Sequence, residues 1–74
     1  MYKIIEMQTT NGTTAHIVTT KSTRNEAEAE FHRVLAAAAV SNVEVHSCTI
    51  LTEEGFQIMT GCYKHEPAAQ NAAE

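Results

Sequence analysis

The sequence predicts an α+β fold of order ββαββ, two antiparallel hairpins flanking one helix, giving a four-stranded sheet with the helix on one face. Three observations predict it. Asn11-Gly12 separates the β-rich runs 2–10 and 13–20, and Asn-Gly in that setting signals a hairpin because both central residues of a type I′ turn take positive φ. Glu54-Gly55 separates the runs 43–52 and 56–65 in the same manner. Between the hairpins, Ala27, Phe31, Val34, Leu35 and Ala38 recur at the spacing of one helical face.

A two-residue Asn11-Gly12 turn sets the first register. Thr10 faces Thr13, Met7 faces His16, Ile5 faces Val18 and Ile4 faces Thr19. Alternation then puts Ile5, Met7, His16 and Val18 on one side, with Tyr2, Ile4, Glu6, Ala15 and Ile17 on the other. Both sides carry aliphatic residues, whereas a sheet with one wet face reads as a cleaner alternation. The expectation is that the second face is partly covered, most simply by another subunit.

The polar break Lys21-Ser22-Thr23-Arg24-Asn25 opens the helix. Thr23 with Glu26, or Asn25 with Glu28, has capping-box spacing. Glu26, Glu28 and Glu30 suit the positive end of the helix dipole. The small residues Ala36-Ala37-Ala38-Ala39 allow close packing on the sheet or on a neighbour, and Ser41-Asn42 ends the helix.

The second hairpin is most self-consistent with a three-residue loop, Glu53-Glu54-Gly55, with Gly55 in the left-handed position. Thr52 then faces Phe56, Ile50 faces Ile58, Cys48 faces Thr60, His46 faces Cys62 and Glu44 faces Lys64. Glu66-Pro67 stops the last strand. The expected organisation is a single domain over 1–66 and a disordered tail over 67–74, rich in Ala, Asn, Gln and Glu.

Composition narrows the function classes. A 74-residue chain is close to the lower limit for independent stability, and self-assembly is the expected remedy. Its two cysteines make no disulfide framework, and no signal peptide or membrane-length apolar run is present. The expected setting is therefore the cytosol. A formal charge of −4 with five basic residues opposes non-specific nucleic-acid binding. Four scattered aromatic residues make no stacking platform for single strands.

The sharpest candidate site is the helix opening. A helix N-terminus offers free N–H donors and a positive dipole end. Lys21, Ser22, Thr23 and Arg24 bring two cations and two hydroxyls there, and Arg33 can join from a neighbouring turn or subunit. Arginine suits phosphate because its planar fork donates two parallel hydrogen bonds. The same residues also read as an ordinary capped helix start, and the glutamates just downstream repel an anion. His46, Cys48 and Cys62 share one face in the expected register, but they lack zinc spacing, and His16 supplies a fourth ligand only if the two hairpins lie side by side. No metal, cofactor or catalytic residue is assigned.

At Tyr2-Lys3-Ile4-Ile5-Glu6-Met7-Gln8-Thr9-Thr10-Asn11-Gly12, Glu26-Ala27-Glu28, Phe31-His32 and Leu35-Ala36-Ala37-Ala38-Ala39-Val40-Ser41, the chain resembles small accessory proteins from phages and prophages of gut Firmicutes. The resemblance covers nearly everything but the tail and transfers no catalytic residue. It implies a non-catalytic protein that counters host defence. In the reading preferred from sequence, a homo-oligomer sequesters a phosphate-bearing, nucleotide-derived signal. Lys21, Ser22, Thr23, Arg24 and Arg33 then hold the anion, and Tyr2 or Tyr63 stacks on a base. The alternative is a protein-binding inhibitor that blocks a host defence protein through its acidic face or an edge strand.

Overall fold

The computed structural model describes residues 1–65. The expected stop at Glu66-Pro67 and the expected tail over 67–74 lie outside the described residues. The order is β1 (Tyr2–Thr10), β2 (Thr13–Lys21), α1 (Arg24–Val40), β3 (Val45–Thr52) and β4 (Gln57–Lys64). All four strands are antiparallel to their neighbours in one sheet, in the order β2-β1-β3-β4. The fold is the α+β ββαββ arrangement. The helix is the crossover that carries the chain from β2, past β1, to β3.

The first hairpin has the expected register along its whole length, from Thr10 opposite Thr13 to Tyr2 opposite Lys21. Asn11 (φ +52°) and Gly12 (φ +79°) both take the left-handed conformation that a type I′ turn requires. The side carrying Tyr2, Ile4 and Glu6 is the one facing the helix. Ile4, Cys48 and Ile50 from the sheet and Ala27, Phe31 and Val34 from the helix form the core. Tyr2, Leu35, Ile58 and Met59 pack at its margin. Each fully buried aliphatic or aromatic side chain contributes about 1.5–3 kcal/mol.

Helix α1 starts at the expected cap: Thr23 Oγ1 accepts from the Glu26 N–H at 3.2 Å. Its far end closes at Ser41, whose N–H and hydroxyl both reach the Ala38 carbonyl, at 3.3 and 3.2 Å. The buried stripe is the expected one, Ala27, Phe31, Val34 and Ala38, with Leu35 beside it.

The second hairpin departs from expectation in one respect. Its loop is as predicted: the Thr52 N–H donates to the Phe56 carbonyl at 2.8 Å, the Gly55 N–H donates to the Thr52 carbonyl at 2.9 Å, and Gly55 has φ +96°. A bulge then intervenes. Leu51 faces Gln57 but Ile50 faces Met59, leaving Ile58 as an extra residue on β4. Beyond it Cys48 faces Gly61 rather than Thr60, His46 faces Tyr63 rather than Cys62, and Lys64 faces Val45 rather than Glu44. A slip of one residue moves every later side chain to the other side of the sheet. Helix packing supplies the reason, since a Cβ at Gly61 would lie 2.6 Å from Leu35 Cδ1. The bulge places the one β4 residue without a side chain directly beneath the helix.

Candidate functional site

The sequence-predicted anion residues lie in three separate places. Lys21, Ser22, Thr23 and Arg24 are together at the helix opening, at the sheet end where Tyr2 pairs with Lys21 and Thr52. Arg33 stands nine residues along the helix, about 14 Å away at 1.5 Å per residue. Tyr63 faces His46, six β3 residues from the Thr52 that faces Tyr2, which is roughly 20 Å at strand rise. Within one chain the two tyrosines serve opposite ends of the sheet.

Most of these donors are already engaged with carboxylates. Ser22 Oγ and Thr23 Oγ1 donate to Glu26 Oε1 at 3.1 and 3.2 Å. Arg24 Nε donates to Glu28 Oε2 at 2.8 Å. Arg33 pairs through two nitrogens with Glu30, and the Arg33 hydrogen bond holds the Glu30 carboxyl below the usual glutamate range. Lys21 makes no ion pair with a described residue.

Beside this cluster lies an open cleft of about 390 Å³, lined by Met1, Tyr2, Ser22, Thr52, Glu53 and Glu54. The two carboxylates come from the hairpin loop, which the Gly55 turn projects beyond the sheet. The amino group of Met1 lies 3.0 Å from Glu53 Oε1. Two carboxylates, one of them paired with the Met1 ammonium, two hydroxyls and a phenol ring make a lining that favours a cation over a phosphate.

A second polar cluster, invisible to pattern reading, closes the other helix end. His46 is only 4% exposed. Its Nε2 lies 2.6 Å from Glu6 Oε2, which also accepts from Gln8 Nε2 at 2.9 Å. Its Nδ1 lies 3.4 Å from Ser41 Oγ. His65 Nε2 donates to the Ala38 carbonyl at 2.8 Å, and its ring stacks with Tyr63 at 6.5 Å between centroids. The carboxylate–imidazole–hydroxyl line has the members of a hydrolase triad, but Ser41 sits at the helix C-terminus. Helix carbonyls and the negative dipole end surround it, the reverse of what a developing oxyanion needs. What the cluster does mechanically is tie β1, β3 and the helix end together.

Among the described residues no group of three His, Cys, Asp or Glu side chains is placed to hold a metal ion. The corrected register explains this for the cysteines: Cys48 is buried beneath the helix, while Cys62 is exposed on the opposite side. No helix among the described residues is long and apolar enough to cross a membrane. Neither a protein-family model, nor a curated protein, nor a solved structure matches the chain.

Proposed function

We propose that the chain is a non-catalytic binding protein, of the phage accessory kind its sequence resembles, that blocks a host defence protein through its acidic end. The carrying observation is the engagement of Ser22, Thr23, Arg24 and Arg33 by Glu26, Glu28 and Glu30. A phosphate would have to displace those carboxylates and then bind among them. In the neighbouring cleft Glu54 supplies a carboxylate that makes no ion pair with a described residue and Tyr2 supplies a ring face, while a basic side chain has only the Met1 ammonium to displace from Glu53. This favours the protein-binding alternative over sequestration of a nucleotide-derived signal, which retains Lys21 as its available cation at this end. On either reading the setting is the bacterial host cytosol.

The test is native mass spectrometry of the protein recovered from bacteria expressing a defence system that it neutralises. The expected result is a complex with a protein component of that system, lost in Glu54→Lys together with loss of neutralisation. A nucleotide-sized adduct that survives Glu54→Lys and disappears in Lys21→Ala would overturn the proposal in favour of sequestration.

A further inference from the structure

Strand β2 is the least covered element of the fold. Of its nine residues only Thr19 and Lys21 are even half-buried. The helix packs mainly over β1, β3 and β4 and touches β2 least, so Ile17 is 54% exposed although it points to the helix side of the sheet. Its neighbour Val18, on the other side, is 51% exposed. An edge strand of this length with aliphatic residues bare on both sides is an adhesive template. Most of the usual protections are missing, since β2 contains no proline and no bulge and its one lysine, Lys21, stands at its very end.

The hydrogen-bonding row of that edge can be assigned. The two-residue turn makes Thr10 and Thr13 a bonded pair, and antiparallel pairing alternates from there. Ala15, Ile17 and Thr19 therefore bond inward to β1, while Thr14, His16, Val18 and Thr20 turn their N–H and C=O outward. The strand is also self-complementary about its midpoint. Set antiparallel to a second copy with Ile17 on the two-fold axis, it places Ile17 opposite the partner's Ile17 and His16 opposite the partner's Val18. Ala15 then meets the partner's Thr19, Thr14 meets the partner's Thr20, and Lys21 meets the partner's Thr13. No like charges face each other. The two isoleucines fill the notch that the offset helix leaves, and the glutamate-bearing helices stay away from the axis.

We propose that β2 pairs with β2 of a second copy of this chain, giving a two-fold dimer with one continuous eight-stranded sheet. The interface is a single strand about 30 Å long at strand rise. It belongs at or below the low end of specific interfaces, roughly 1,200 Å² in total, so the dimer is reversible and concentration-dependent. This inference does not depend on the acidic end being the target surface.

The test combines solution mass with a residue-specific cross-link. Analytical ultracentrifugation of the full chain should show the mass rising with concentration towards twice 8.1 kDa. Ile17→Lys should hold it at one chain at the same concentration, with an unchanged far-UV circular dichroism spectrum. Val18→Pro, which deletes an outward N–H, should do the same. In a Cys62→Ser background, Ile17→Cys should form an inter-chain disulfide under mild oxidation, because non-bonded antiparallel pairs bring Cα atoms to about 4.5 Å. Ala15→Cys in that background should not, being offset from its own copy. A wild-type chain that stays monomeric at high concentration overturns the proposal. So does a dimer that persists in folded Ile17→Lys, which would assign the contact to the open face of the sheet, or cross-linking that is equal at positions 15 and 17.

Discussion

The two edges of this sheet are built from opposite materials. At β4, the helix reaches across until Leu35 lies over Gly61, a bulge at Ile58 breaks the regularity of the strand, and Lys64 ends it with a charge. At β2, nine regular residues form the strand the helix covers least, with Ile17 and Val18 bare on either side. Helix cover and a bulge blunt the β4 edge and are weak or missing at β2, which shares with β4 only a terminal lysine. In a chain this small, one helix covers about three strands, so the fourth is left over. The asymmetry is thus a product of the packing, and it assigns the edges different work: β4 closes the core, and β2 is free to join.

Three measurements sharpen that contrast, beginning with the largest effect. Phe31→Ala removes the ring at the centre of the helix-covered region and should cost about 3–5 kcal/mol in denaturant unfolding. Val18→Ala on β2, read at a concentration where the chain is monomeric, should stay within about 0.5 kcal/mol. A comparable loss at both positions would mean that β2 is not the uncovered edge.

Gly61→Val forces Leu35 and the helix away from β4 and should cost about 1–3 kcal/mol. Ala15→Val adds two methyl groups at an exposed position of strand β2 and should be nearly silent. A silent Gly61→Val would remove the close approach that explains the bulge.

The smallest effect is chemical. Burial pushes the Cys48 thiol up to about 11 from 9.0, and the thiolate is the reactive form. Cys62 is exposed on the other side of the sheet. At neutral to mildly alkaline pH, one thiol should react with an aromatic disulfide reagent in the native chain and the second only on unfolding. The sign of the linkage follows. The fold favours the protonated Cys48, so its contribution is complete below the ordinary thiol value and declines as pH rises from 9.0 towards 11. Protection of both cysteines in the folded chain would contradict the β4 register, which puts Cys62 on the side away from the helix, and rapid labelling of both would contradict the burial of Cys48.

The elements themselves were legible because their signals are local. Asn11-Gly12, Thr23 with Glu26, and the Ala27–Phe31–Val34–Ala38 stripe each act within a few residues and needed no knowledge of the rest of the chain. Strand order and the bulge were not legible in that way, because they depend on where the helix lands. One signal for the bulge was available. Gly61 lies inside an otherwise β-rich run, and an isolated glycine there marks either a bulge or a close approach; here it marks both. For the candidate site, spacing gathered Lys21 to Arg24 at one helix end but did not reveal that the partners of Ser22, Thr23 and Arg24 are Glu26 and Glu28. The pairing of His46 with Glu6 spans forty residues of chain, and no periodicity in either strand announces it.

The most direct test of the unequal edges is amide hydrogen exchange, resolved by residue, at low and at high protein concentration. The structure gives Thr14, His16, Val18 and Thr20 outward N–H groups on β2, alternating with Ala15, Ile17 and Thr19 bonded to β1. The predicted result is that the outward set exchanges fast in dilute protein and slows as concentration rises. The inward set, and the β4 amides bonded to β3, should keep the same rates at both concentrations. Outward β2 amides that exchange equally fast at every concentration would contradict the account, and protection that instead grows along β4 would reverse it.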